Sequence, residues 1–361
     1  MAIIRGTTGD DTITPEGNSE GVTVINPLPG SPFAGDVDQI SSLAGSDFVD
    51  GGLGDDSAIL GDGDDRFRWD PGEGSDDVGG GRGSDTLEFN GSDAVEQFTI
   101  SDGANLDVDL FRDVGNILME LSSVEVIELN GLGGDDNVDA SGLTQPTALI
   151  VNGGQGNDTA ILGPADDRFI WNPGDGDDIV DGRDGTDTLE FNGSAGNEEF
   201  VISDLPNGRV ELFRDAGSIE MDLTSVERIE LNGLDGNDHV DAAALTQDVQ
   251  LSIDAGGGDD TVFAGPADDV VHGGAGSDIM FGGAGGDTFA FGAETGDGVI
   301  DSDTIGDYNQ AEEDVVDLSE SGGLVASAAV EGGLALTLGG GDADQVFLAG
   351  VASLDDVTVV I

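Results

Sequence analysis

The chain has 361 residues, enough for one to three domains, and sets 10 Lys+Arg against 76 Asp+Glu for a formal net charge of -66. That balance argues against nucleic acid and against an anionic membrane surface as partners, since both are gripped by clustered cations. With no Cys there is no disulfide or thiolate metal site, and no apolar run approaches the length of a membrane span.

The acids are 56 Asp and only 20 Glu, and all ten cations are Arg. Asp fits tight turns and reaches a metal on a short stem, so the bias points to turn-borne ligands. A halophile's acidic surface is the competing explanation. The 62 Gly would suggest disorder if scattered. Here they recur at fixed places.

Taken in chain order, residues 1–41 form an entry segment. It opens on MAIIRGTTGDD, which lacks the basic region and apolar core of a secretory signal peptide. One nine-residue unit follows at 6–14, around Asp11, and then a stretch at 15–35 whose four prolines predict an irregular loop. Residues 42–152 form a first module and 153–254 a second. The two align without a gap at an offset of 102, as TLEFNGS at 86–92 and again at 188–194 shows. Such tandem copying predicts modules that stack.

Each module begins with nine-residue units. In the first, the sixth-position acids are Asp47, Asp56, Asp65, Asp76 and Asp85, interrupted by an insert at Trp69 and Asp70. In the second they are Asp158, Asp167, Asp178 and Asp187, interrupted at Trp171 and Asn172. The segments 95–101, 106–112, 116–121 and 125–130 then alternate apolar and polar residues, as strands do, with a hairpin turn expected at 113–116. The same reading holds for 196–232. Single units around Asp136 and Asp238 stand apart from the clusters.

Residues 255–290 are the clearest run: AGGGDDTVF, AGPADDVVH, GGAGSDIMF, GGAGGDTFA. Asp260, Asp269, Asp278 and Asp287 fill the sixth position, and Val262, Val271, Met280 and Phe289 the eighth. Small residues, mostly Gly, fill the first four. A period of nine reads as a six-residue turn plus a three-residue strand, and two units would close one coil of 18 residues. Residues 291–361 carry no such unit and are expected to form short strands.

Coils stack at the sheet spacing, about 4.8 Å, so Asp260 would face Asp278 and Asp269 would face Asp287. Carboxylates held that close repel unless a cation lies between them. Calcium suits the gap, taking six to eight oxygens at about 2.3–2.6 Å in flexible geometry; zinc would prefer His or Cys. At ten times its Kd, each bound ion would stabilise the fold by about 1.4 kcal/mol.

The consensus G-G-x-G-x-D-x-U-x resembles the nonapeptide of the RTX, or haemolysin-type calcium-binding, family. The resemblance covers most of 6–14, 42–90, 131–190 and 233–290. It implies an all-β parallel β-roll with several Ca2+ ions held between turns by the sixth-position Asp residues and by loop carbonyls. On that pattern the loop ligands are Gly52, Gly54, Gly154, Gly156, Gly256, Gly258, Gly274, Gly276, Gly283 and Gly285. The stretch 303–320 resembles the family's cap, and LDDVTVVI at 354–361 its type I secretion signal, which implies an extracellular protein. Units 162–170 and 264–272 depart from the pattern, with Pro164-Ala165 and Pro266-Ala267 in place of Gly, as does unit 60–68, which starts with Leu60; all three are expected to bind weakly or not at all.

The Trp69 and Trp171 inserts are expected to cover the edge of a widened coil, with sugar stacking as the alternative, and to disturb the pairing across them. Fifth-position acids such as Asp55 and Asp259, and also Asp50 and Asp139, are expected to be solvated. His239 and His272 have no partner in the pattern. No HExxH, GxSxG or Walker motif occurs. The expectation is a secreted, non-enzymatic protein with a structural or adhesive role; an extracellular polysaccharide, or further copies of the chain, remain open as partners.

Overall fold

The computed structural model describes residues 3–14, 17–18, 23–25, 37–104, 107–292, 301–339 and 344–361. The described residues are all-β apart from two short 3-10 turns, Gln310–Glu312 and Leu354–Asp356. They divide into two compact units, residues 1–170 with 174–187, and residues 171–173 with 188–361.

In the first unit, Phe48–Asp50, Arg66–Trp69, Thr86–Ser92, Val126–Leu132 and Ala148–Asn152 pair in that order, all parallel. A second parallel series runs through Gln39–Ala44, Ser57–Asp62 and Asp77–Arg82. Consecutive strands of the chain alternate between the two series, which is the topology of a parallel β-roll. Small or apolar residues at the eighth position face inward: Val49, Ala58, Phe67, Val78 and Leu87 are all buried. One inward residue per short strand gives a thin core, so parallel strands of three residues suffice.

The alternating segments join the roll. Gln97–Asp102, Val108–Arg112 and Ile117–Ser122 form an antiparallel meander, with the expected turn closed by the Asn116 N–H on the Asp113 carbonyl at 3.1 Å. Its first strand lies parallel to Asn137–Gly142 and its last parallel to Asp77–Arg82. The meander is thus an expanded side of one coil.

The second unit repeats the scheme. Glu199–Leu205, Arg209–Arg214 and Ile219–Thr224 form the meander. From Glu199–Leu205, parallel pairing passes through His239–Asp241, Thr261–Phe263, Ile279–Phe281, Ser302–Ile305 and Gln345–Ala349. The facing series runs from Thr188–Asn192 through Arg228–Asn232, Gln250–Asp254, Val270–His272, Thr288–Ala290 and Val315–Asp317 to Thr358–Val360. Residues 303–320 therefore continue the coils.

Three expectations are corrected. Within 15–35, expected as irregular, Gly17–Asn18 and Thr23–Ile25 are strands, while the rest of that stretch lies outside the described residues. The Trp inserts do not disturb pairing: Trp69 closes the strand Arg66–Trp69 in register with Phe89, the turn that follows takes up the added length, and the Trp69 indole N–H donates to the Gly74 carbonyl at 2.8 Å. Sugar stacking is excluded for both rings. Trp69 and Trp171 are fully buried, stacked at 4.2 Å on Phe89 and Phe191.

Candidate metal centres

Each sixth-position Asp sits where a Gly-containing turn enters a short strand. Its side chain turns inward and along the roll axis, not into solvent: Asp260, Asp269, Asp278 and Asp287 are each 1 % exposed. The turn depends on glycine. Gly274 and Gly276 have φ of +95° and +122°, and a Cβ on either would sit on the carbonyl oxygen of Gly256 or Gly258 in the preceding coil.

The carboxylates form ladders. Oδ1 of each Asp accepts the backbone N–H of the sixth-position residue one coil earlier. In the first unit Asp11 donates to Asp47 (2.7 Å), Asp47 to Asp65 (2.8 Å) and Asp65 to Asp85 (3.0 Å). In parallel, Asp56 donates to Asp76 (2.7 Å), Asp136 to Asp158 (2.7 Å), Asp158 to Asp178 (2.8 Å) and Asp167 to Asp187 (2.9 Å). In the second unit Asp238 donates to Asp260 (2.6 Å), Asp260 to Asp278 (2.8 Å) and Asp269 to Asp287 (3.0 Å). The sequence separation is 18 in the regular coils, 20 across the Trp inserts, 22 from Asp136 and Asp238, and 36 from Asp11. Asp260 meets Asp278, and Asp269 meets Asp287, as the spacing requires; the rung between them is a hydrogen bond, not a bare repulsion.

The second oxygen divides the carboxylates into two kinds. Oδ2 of Asp47, Asp56, Asp65, Asp76, Asp85, Asp136, Asp158, Asp238, Asp260 and Asp278 is buried without a hydrogen-bond partner. Such an atom carries a desolvation cost unless a further group meets it. Asp167 and Asp269 differ: their Oδ2 accepts the N–H of Gly163 or Gly265 at 2.8 Å. These are the two Pro-Ala units, whose turns satisfy their own carboxylate.

Burial raises these carboxyls well above the usual Asp range, partly offset by the ladder N–H. Asp178 is pushed up to about 8, and Asp56, Asp76, Asp136, Asp260 and Asp287 to about 7. Asp85, Asp158, Asp167, Asp238, Asp269 and Asp278 reach about 6. Asp47 and Asp65 are raised for the same reason. Without a counter-ion the roll holds its acids reluctantly charged. Hard, buried, unpartnered oxygens beside glycine turns fit calcium.

Several ladder members escaped the sequence reading. Asp136 and Asp238, which looked isolated, are full members. Asp303 and Asp314 continue the ladders, accepting from Asp278 (3.0 Å) and Asp287 (3.1 Å). Their signal was an Asp two residues before an inward Ile305 or Val316, without the glycine turn in front. Glu96 and Glu198 also stand at sixth positions, and their N–H groups donate to Asp136 and Asp238 at 2.8 Å each. The units 91–99 and 193–201 begin with Gly-Ser and carry Phe98 or Phe200 at position eight, a faint trace of the repeat inside an alternating stretch.

Outside the ladders, Asp55 and Asp259 are exposed as expected, and cap Ser75 and Ser277 N–H groups at 2.9 and 3.0 Å. Asp50 is not solvated; it is buried and ion-paired with Arg68 at 2.7 Å, because the parallel register sets the two side by side. Asp139 is half-buried and accepts the Ser141 N–H at 2.9 Å. His272 lies 3.2 Å from Asp254.

A family model for the RTX calcium-binding nonapeptide repeat matches residues 35–67, 150–170, 174–189 and 254–289. No curated protein matches the chain. Among solved structures, the extracellular lipase LipA from Serratia marcescens is similar at 16% identity and a TM-score of 0.21, over 90% of this chain and 40% of that one. The chain thus spans well under half the length of that lipase. No helix among the described residues is long and apolar enough to cross a membrane.

Proposed function

We propose that the carboxylate ladders of this chain, which carries RTX calcium-binding nonapeptide repeats, are calcium clamps that complete the fold outside the cell. The observation that carries the reading is the run of buried Asp oxygens without partners on successive coils. Calcium, when bound, supplies positive charge and oxygen coordination. The chain supplies Oδ2 of Asp47, Asp56, Asp65, Asp76, Asp85, Asp158, Asp178, Asp187, Asp260, Asp278 and Asp287, together with the carbonyls of the loop glycines. Asp167 and Asp269 are weaker donors, since their turns already use Oδ2.

The RTX repeat is itself non-catalytic, and we assign the chain a structural or adhesive role with no reaction, reached by type I export. The test is a calcium titration of the intact chain followed by far-UV circular dichroism and calorimetry. The β signal should fall in chelator and recover in millimolar calcium with several ions bound. An unchanged spectrum would overturn the reading.

Self-association is a second reading, favoured by Leu324–Val330. Six of its seven residues are exposed, none is charged, and the pairing described for it is with Gly333–Leu338 alone. Calcium-dependent growth in light scattering would support it; a monomer at every calcium level would remove it.

A further inference from the structure

We infer that Arg112 and Arg214 are built-in cations that take the place of calcium at Glu96 and Glu198, so that the two meander-bearing coils order without metal. The inference rests on reading the Asp ladders as calcium clamps.

Glu96 and Glu198 join the ladders through their backbone N–H groups, which donate to Asp136 and Asp238. Their carboxylates differ from those of the Asp residues in being engaged by their own turn and meander. Oε2 of Glu96 accepts the Ser92 N–H at 2.9 Å, while Oε1 accepts the Ser92 hydroxyl and the Arg112 Nε–H, both at 2.8 Å. Nη2 of Arg112 also donates to Oε1. In the second unit Glu198 takes the Ser194 N–H and hydroxyl at 2.8 Å each and Arg214 Nε–H at 2.9 Å. No oxygen of either Glu is among the buried atoms lacking a partner.

The guanidinium is as buried as the acid. Side-chain exposure is 5 % for Arg112 and 0 % for Glu96, and 6 % and 1 % for Arg214 and Glu198. Each guanidinium lies over an indole, 5.4 Å from the Trp69 centroid and 5.3 Å from that of Trp171. The Arg112 charge also acts favourably on Asp136, the next carboxylate along, and Arg214 does so on Asp238. One fixed cation thus serves two successive ladder acids. Glu in place of Asp gives the extra reach that a bulky planar cation needs, and both Arg residues sit on the middle strand of the meander, 16 residues after their Glu.

A cation carried on the chain cannot be removed by a chelator. In metal-free conditions the strands Gln97–Asp102, Val108–Arg112, Glu199–Leu205 and Arg209–Arg214 should therefore stay ordered while 255–290 opens.

Hydrogen exchange by mass spectrometry on the full chain, in chelator and in millimolar calcium, tests this. In chelator the amides of those four strands should exchange at least tenfold more slowly than those of 255–290. Arg112→Met should abolish that protection at 97–112 in chelator and leave 199–214 unaffected. The same variant should raise the calcium stoichiometry by one, because Glu96 is left for a metal. Equal, fast exchange of the meanders and 255–290 in chelator, with calcium protecting both, would overturn the inference and leave the calcium clamps standing. Protection of 255–290 in chelator would instead sink the clamp reading, and this inference with it.

Discussion

At the scale of the residue, one carboxylate does two things. Oδ1 closes a backbone hydrogen bond between coils, and Oδ2, where it is buried without a partner, is the oxygen that the proposed clamp would turn to an ion. Asp278→Asn keeps an acceptor for the Asp260 N–H and removes the charge, so calorimetry should show weaker calcium binding with little change in metal-free stability. Asp269→Asn should behave in the opposite way. Its Oδ1 accepts the Leu251 N–H and its Oδ2 the Gly265 N–H, and an amide can satisfy only one, so a loss of about 1–3 kcal/mol should appear in denaturant unfolding, with little change in calcium stoichiometry. The pH dependence follows from burial. In the metal-free fold burial pushes Asp278 up to about 6, Asp260 to about 7 and Asp178 to about 8, against about 3.9 for unfolded Asp. A raised folded pKa means that the fold holds its protons more tightly. Metal-free stability is therefore complete below about pH 4 and lost as pH rises through about 6 to 8. Thermal melts in chelator should be higher at pH 5 than at pH 8, and in saturating calcium the order should reverse, because protons compete with the ion. The Asp rungs were legible in the sequence because a period of nine is carried by the residue itself. Glu96 and Glu198 were not, since a longer acid in an alternating stretch reads as the polar face of a strand.

At the scale of the element, strands of three residues hold register because the turns between them are rigid. Gly276→Ala would force a side chain into a left-handed backbone against the Gly258 carbonyl. It should cost about 1–3 kcal/mol and move the calcium midpoint of the β signal upward. Trp171→Ala removes a fully buried ring stacked on Phe191 and should cost about 3–5 kcal/mol in denaturant unfolding, measured in calcium. The short strands, the meanders and the turn at 113–116 could be read from alternation and turn chemistry. The fate of the Trp inserts could not. Whether two extra residues shift a register or bulge outside it depends on a partner coil 20 residues away, and no local pattern reports that.

At the scale of the whole molecule, a net charge of -66 opposes compaction wherever it is not neutralised. Raising NaCl from about 0.1 to about 1 M shortens the screening length from about 10 to about 3 Å. That change should raise the melting temperature of the metal-free chain clearly and that of the calcium-saturated chain little. The recurrence of one scheme of strands and meander in both units could be anticipated from the gapless 102-residue offset; that the terminal region continues the ladders through Asp303 and Asp314 could not, because its turns have no common length. The ladder also has a direction. Every rung runs from an amide to an acid 18 to 40 positions further along the chain, and never backward. Cutting the chain within a run of coils therefore leaves unlike scars. The piece that keeps the N-terminal side ends on an N–H that exchanges a charged acceptor for water, whereas the piece that keeps the C-terminal side begins with a carboxylate relieved of its burial. Fragments beginning mid-roll should accordingly fold better than fragments stopping there, and a growing coil is finished only by sequence that follows it.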